Sequence, residues 1–166
     1  MAVDFADKQY DRSYEGFALR NIKLRMSRKL IYISGLLACF RCHLEYPDEK
    51  TRLQFFTKDN SLAVAALLRS FLDKTPLDLA AETLFMYARD QERVRQFFEA
   101  YDQFLGILND QSKRETLKNL KPGELETDSI YSEARQVSHK FRQAVTDIFL
   151  NEDNEIGQLT IKYGVF

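Results

Sequence analysis

Apolar residues recur every three or four positions along most of the chain, the spacing that places them on one face of an α-helix. The longest stripe covers residues 77–108, and a second covers 130–148. The segment between them contains Pro122-Gly123, a dipeptide typical of a turn. Because neither helix can bury its stripe alone, the pattern predicts a long antiparallel helical hairpin of residues 76–110 and 128–150.

Local signals mark the ends of these helices. Thr75-Pro76-Leu77-Asp78 combines a capping hydroxyl, a proline at the first helical position and a carboxylate two residues later. Asp128 is a candidate N-cap for the second arm. Polar Gln91 interrupts the first stripe, so the first arm is either one helix or two helices joined near Asp90.

Earlier in the chain the pattern predicts shorter elements. Ser27 stands where an N-cap belongs, and apolar residues at helical spacing then continue to Pro47, which predicts a helix over about 28–45. Short helices are expected around 48–57 and 61–73.

Two segments alternate with period two instead. Residues 21–26 alternate apolar and cationic side chains, and residues 159–165 alternate up to the C-terminal Phe166. Such alternation is typical of a strand, so the two segments are predicted to pair as a minor two-stranded ribbon.

The sequence therefore predicts an all-α fold: one domain over residues 1–166, a bundle of five to seven helices built on the hairpin. Residues 1–16 are expected to form a loosely packed N-terminal arm. The composition agrees, since 45% of the 166 residues are hydrophobic while Gly and Pro number 6 and 3. A chain of this length can bury a core without metal or disulfide staples.

Composition also narrows the function classes. A net charge of −1 means that attraction for a polyanion must come from a local patch. Two cysteines cannot form a disulfide framework, which favours a reducing compartment, and the cytoplasm is the predicted location. Asp4, Asp7 and Asp11 stand where a signal peptide needs basic and apolar residues. The longest apolar run, residues 30–40, is about half of the ~20 residues that span a membrane.

One local patch is strongly basic. Five cations occur within ten residues with no acid among them, and two fall in the first turn of the helix predicted after Ser27, where positive charge opposes the helix dipole. An anion bound by these cationic side chains and by the free N–H groups of that first turn would explain the arrangement. The alternative is internal pairing with acids such as Asp4, Asp7 and Glu15. We call this patch the basic strip; it comprises Arg20, Lys23, Arg25, Ser27, Arg28 and Lys29.

Cys39-Phe40-Arg41-Cys42-His43 matches the pattern for covalent attachment of c-type haem, with the histidine as an axial ligand. The Gly/Pro-rich loops of a small cytochrome are lacking. Cys39, Cys42 and His43 could also hold zinc, with His139 as a fourth ligand, but a second ligand pair is missing. Core packing is the preferred interpretation of the two cysteines.

Arg135 and His139 resemble the arginine–histidine motif of the HEPN ribonucleases, which are all-helical. That family separates the two residues by four to six positions, whereas three lie between them here. The resemblance covers these two positions and the helical class. It implies a metal-independent ribonuclease in which His139 is a base and Arg135 stabilises phosphate charge.

Phosphate-binding glycine loops and nucleophile elbows are lacking, so binding is predicted in preference to catalysis. The preferred hypothesis is a regulatory module that needs no cofactor and holds an anionic partner, nucleic acid by preference, on the basic strip. Haem-based electron transfer and ribonuclease activity are the alternatives. The heptad surface and the C-terminal tail are the candidate surfaces for another protein or a second copy, and no membrane partner is expected.

Overall fold

The computed structural model describes residues 15–164. The predicted N-terminal arm lies outside the described residues, apart from Glu15 and Gly16. Residue 165, the last of the predicted ribbon segment, and residue 166 also lie outside them.

The described chain is helical almost throughout, which confirms the all-α prediction. A π-helical segment, Leu24–Arg28, joins α1 to α2 without a break, and single 3₁₀ turns occupy Lys58–Asn60 and Pro122–Glu124. The helices exceed the five to seven predicted. They are α1 (Phe17–Lys23), α2 (Lys29–Glu45), α3 (Glu49–Phe55), α4 (Ser61–Leu72), α5 (Pro76–Tyr87), α6 (Gln91–Asn109), α7 (Gln111–Asn119), α8 (Ser129–Phe149) and α9 (Glu155–Tyr163).

The predicted ribbon is wrong, because residues 21–26 and 159–163 are helical and residues 15–164 contain no strand. The alternation at 21–26 conceals a four-residue spacing. Ile22 and Met26 are buried, as is Leu30 four residues later, whereas Leu24 is only half-buried. The wider π turn keeps residues spaced by four on one side of the helix.

The first arm of the predicted hairpin is two helices, so the long helix over 76–110 is not found. Ala88 is extended, with φ −76° and ψ 130°. The Gln91 amide donates to the carbonyl of Ala88 at 2.7 Å and to that of Phe85 at 3.3 Å. The Asp90 carboxylate accepts from the Arg93 N–H at 3.1 Å. Side chains thus satisfy the end of α5 and the start of α6.

Two predicted helix starts are confirmed. Thr75 Oγ1 accepts from the Asp78 N–H at 3.2 Å, and α5 begins at Pro76. Asp128 Oδ1 accepts from the Tyr131 N–H at 2.7 Å, and α8 begins at Ser129. In both cases a side chain supplies an acceptor to an N–H that lacks one inside the helix.

The contacts of the chain divide it into two compact units, and the predicted single domain stays a prediction. The first unit contains residues 15–28 and 95–144. The Phe97 and Phe141 rings, both fully buried, have centroids 4.7 Å apart and join α6 to α8. The Gly16 N–H donates to the Lys118 carbonyl at 2.7 Å, which ties the start of α1 to α7. Gly16 has φ 74°, a left-handed conformation that glycine adopts without strain.

The second unit contains residues 29–94 and 145–164, and its main contact is between α2 and α5. Leu37 and Leu84 are buried there. Arg41 Nη1 donates to Glu82 at 2.9 Å, and Arg41 Nη2 donates to Glu45 at 2.5 Å. Glu82 also pairs with Lys74.

None of the helices within residues 15–164 combines the length and the apolar character that crossing a membrane requires.

Candidate anion-binding surface

The basic strip lies inside a continuous helical run and not at a helix N-terminus. The run extends from Phe17 to Glu45, so Ser27 is in the middle of it and is not an N-cap. The prediction that free N–H groups of a first turn contribute to the strip is therefore wrong. The strip depends on its side chains alone.

Three cations of the strip are exposed: Lys23, Arg25 and Arg28. No carboxylate of residues 15–164 is within ion-pair distance of any of them. Arg20 and Lys29 differ, because both are half-buried and each has an interaction of its own. Lys29 also belongs to the second unit, whereas the rest of the strip belongs to the first.

The alternative is that acids of the chain itself pair with the cations of the basic strip, and Glu15 does not support it. Its carboxylate is 3.2 Å from the Lys118 ammonium, on α7. The other acids considered, Asp4 and Asp7, lie outside the described residues. Among the described residues, the three exposed cations keep their charge available to a partner.

The buried residues of the run show which cations share a side. Ile22 and Met26 are 1% and 0% exposed and mark the packed side. Lys23 follows Ile22 by about 100°, and Arg25 precedes Met26 by somewhat less in the wider π turn, so the two cations flank the packed side on opposite edges. Arg28 is three residues after Arg25, less than one π-helical turn away, and both side chains are exposed. We call Arg25 and Arg28 the arginine pair.

Two polar residues that the sequence analysis did not single out position Arg25. Arg25 Nε donates to Asn21 Oδ1 at 2.9 Å, and the Tyr131 hydroxyl donates to the same oxygen at 3.4 Å. Tyr131, on α8, is 5% exposed. The i, i+4 spacing of Asn21 and Arg25 was the available signal, but it has meaning only on a helix.

The Cys39–His43 segment lines a surface pocket of about 470 Å³ in the second unit. Cys39 is exposed, whereas Cys42 and His43 are half-buried. Arg52, on α3, lines the same pocket and donates to the carbonyl of Tyr46 at 2.7 Å. The remaining walls are apolar or aromatic, from Leu36, Phe40, Phe56, Leu159 and Tyr163.

The surroundings of Cys42 and His43 in this pocket favour the uncharged form of both side chains. Burial, with the neighbouring Cys39 as a further cause, raises the pKa of the Cys42 thiol above its ordinary value. Burial and the Arg52 charge lower the pKa of His43. A thiol with a raised pKa is a poor nucleophile at neutral pH. No group of three or more His, Cys, Asp or Glu among residues 15–164 could hold a metal ion, so the geometry does not favour the zinc alternative.

Arg135 and His139 lie one turn apart on α8 and line one surface pocket of about 500 Å³. The Arg135 guanidinium is 3.0 Å from the Glu126 carboxylate. His139 Nδ1 is 2.9 Å from Arg142 Nη2. Because arginine only donates, Nδ1 accepts this bond. Ribonuclease activity stays a prediction.

The structure thus places Arg25 and Arg28 within one turn of a helix, and it brings together Cys39, Cys42 and His43 in one pocket and Arg135 and His139 in another. Of these groups, Arg25 and Arg28 alone combine exposure with no pairing to a carboxylate in the described chain. No protein-family model, curated protein or solved structure matches this chain.

Proposed function

We propose that this protein is a non-catalytic binding module of the cytoplasm that holds an anionic partner, by preference a nucleic acid, on the basic strip. The observation that carries the proposal is the pair Arg25 and Arg28, both exposed within one turn of the helix with no carboxylate of the described residues beside them. Lys23 adds to the local field from the other edge of the packed side.

Guanidinium groups suit this task. Arginine is charged at every pH at which the protein is folded and offers two parallel N–H donors to a phosphate. Asn21 holds the Arg25 Nε, which leaves the two terminal nitrogens of that guanidinium available. An arginine fixed in this way loses less side-chain entropy when a phosphate binds.

The π-helical segment supports the same assignment. Such segments cost stability relative to a regular helix and occur frequently at functional sites. Arg25 and Arg28 both lie within Leu24–Arg28. The wide turn falls on the basic strip, the place where a functional requirement would offset its cost.

The expected binding is electrostatic and weak in physiological salt. A few phosphate contacts without base readout correspond to dissociation constants of roughly 10⁻⁴–10⁻⁶ M. Affinity should fall steeply as salt is raised, since each neutralised phosphate releases counterions.

The test is a salt titration with a fluorescent single-stranded oligonucleotide, comparing the wild type with a variant that carries Arg25→Ala and Arg28→Ala. Losing two phosphate contacts should reduce the slope of log K against log salt by about 1.4 and weaken binding at low salt. A matched control carries Lys50→Ala and Lys162→Ala, which removes the same charge from exposed positions outside the basic strip.

The outcomes separate the strip from a general charge effect. Retained slope and affinity in the arginine variant would show that the pair binds no nucleic acid. An equal loss in both variants would show that net charge, and not this surface, determines binding. A loss confined to the arginine variant supports the proposal.

A further inference from the structure

Helix α4 presents an apolar surface to solvent along its whole length. Leu62, Leu68 and Leu72 are 86%, 43% and 80% exposed, and Ala65 between them is exposed as well. These four residues follow one another at steps of three, three and four, so they share one side of the helix. We call them the α4 stripe.

The opposite side of α4 attaches it to the second unit. Phe71 is 2% exposed, and the Arg41 guanidinium lies 5.0 Å from the centroid of its ring. Val64 and Leu67, on the side of Phe71, are half-buried. The α4 stripe therefore points away from the core, and unlike a scattered exposed leucine it is continuous.

The charges around the helix indicate what covers it. Arg69 is the one charged residue within Ser61–Leu72. Both ends of the helix carry one charge of each sign: Lys58 and Asp59 precede it, and Asp73 and Lys74 follow it. A parallel pair of such helices would place Lys58 beside Lys58, whereas an antiparallel pair places Lys58 beside Asp73 at both ends.

We propose that the α4 stripe is the contact between two copies of this chain, paired antiparallel across a twofold axis. A crossing at Ala65 and Ala66 sets these small residues against each other, so that the backbones can approach closely. Leu62 of one copy then lies beside Arg69 of the other, and the terminal Lys58 and Asp73 are opposite each other. Antiparallel pairing also aligns the two helix dipoles favourably.

The area available makes this a weak association. A helix of 12 residues is about 18 Å long, and one face of it covers less than the ~800 Å² per partner of a stable interface. The dissociation constant is expected to be micromolar or higher.

Sedimentation equilibrium of the full chain over about 5 to 500 μM tests the proposal, with the mass expected to rise from monomer to dimer. Leu68→Glu places a carboxylate in the contact and should raise the dissociation constant at least about 100-fold. The matched control is Leu150→Glu, at a residue that is 52% exposed elsewhere in the same unit. It should leave the dimer unchanged.

Charge reversal tests the antiparallel arrangement. Lys58→Asp should weaken the dimer about 3-fold or more, because it opposes two carboxylates at each end. Adding Asp73→Lys to that variant should restore the wild-type constant. Both positions are exposed, and circular dichroism of each variant verifies that the fold is retained.

A mass that stays monomeric to 500 μM overturns the proposal, as does a dimer that Leu68→Glu leaves intact. A double variant that fails to recover overturns the antiparallel arrangement. If the monomer instead binds neutral phosphatidylcholine vesicles through Leu68, the stripe contacts lipid and the proposal is wrong.

Discussion

Arg41 and Arg25 carry the same guanidinium group in opposite surroundings. Arg41 is 9% exposed, donates to the carboxylates of Glu45 and Glu82, and lies over the Phe71 ring. Arg25 is exposed and donates to the neutral amide of Asn21. A cation compensated by carboxylates contributes to the fold, whereas Arg25 has no carboxylate of the described chain beside it. The two arginines should therefore differ measurably in what they contribute to stability.

The largest expected effect is at Arg41. Arg41→Ala should lower the free energy of unfolding by about 3 kcal/mol, because it leaves the Glu45 carboxylate without a cation and Glu82 with Lys74 alone, and removes a side chain from the core. Urea unfolding followed by circular dichroism measures it. A loss below about 1 kcal/mol would mean that solvent already compensates these carboxylates and that the comparison with Arg25 is wrong.

Removing a helix cap should lower the free energy of unfolding by a smaller amount. The same change distinguishes the start of α8 from the basic strip. Asp128→Ala removes the acceptor of the Tyr131 N–H and should cost about 1 kcal/mol of stability. Ser27→Ala, inside the basic strip, removes no cap and should cost less than about 0.5 kcal/mol. Equal losses in the same unfolding experiment would indicate that a helix does begin at Ser27.

Glu82, one of the two carboxylates that pair with Arg41, should make the free energy of unfolding depend on pH. The Lys74 ammonium, with Arg41 as a further cause, holds the pKa of Glu82 below its ordinary value of 4.5. Its contribution is therefore complete above pH 4.5 and is lost as the pH falls through the lower native pKa. Glu82→Gln should flatten the fall in thermal midpoint between about pH 5 and pH 3.

Glu152→Gln is the control for that measurement, because the Glu152 carboxylate is exposed and pairs with no cation among residues 15–164. It should leave the pH dependence unchanged. If the thermal midpoint of the Glu82→Gln variant falls with pH in parallel with that of the wild type, the ion pairs of Glu82 with Arg41 and Lys74 do not contribute to stability.

The smallest effect is expected for the strip itself. Arg25→Ala and Arg28→Ala together should change the free energy of unfolding by less than about 0.5 kcal/mol, since both side chains are exposed and neither meets a carboxylate of the described chain. A loss near that of Arg41→Ala would show that the strip supports the fold.

Local chemistry explains which parts of the fold the sequence could predict. Thr75 and Asp128 each accept a hydrogen bond from the N–H three residues later. Because this contact is local, both helix starts were predictable, and both are confirmed. Gln91 ends α5 through its amide only once the chain has turned at Ala88. The polar Gln91 in the apolar stripe leaves one helix and two helices both open, and the extended backbone of Ala88 decides between them.

The conformation of the basic strip could not be predicted from local chemistry. Over six residues, alternation of apolar and cationic side chains fits a strand, and the four-residue spacing of Ile22 and Met26 fits a helix. Burial decides between them, and burial depends on the packing of residues that are distant in the sequence. The positively charged residues could be predicted, but their arrangement around a continuous helix could not.

The contact between Tyr131 and Asn21 has a practical consequence. The chain contains eight tyrosines and no tryptophan, so tyrosine is its intrinsic optical and magnetic probe. The phenol of Tyr131 ends 3.4 Å from the amide oxygen that orients Arg25. Its ring resonances should therefore shift when that guanidinium is occupied, which provides a label-free readout of the bound state inside the folded chain.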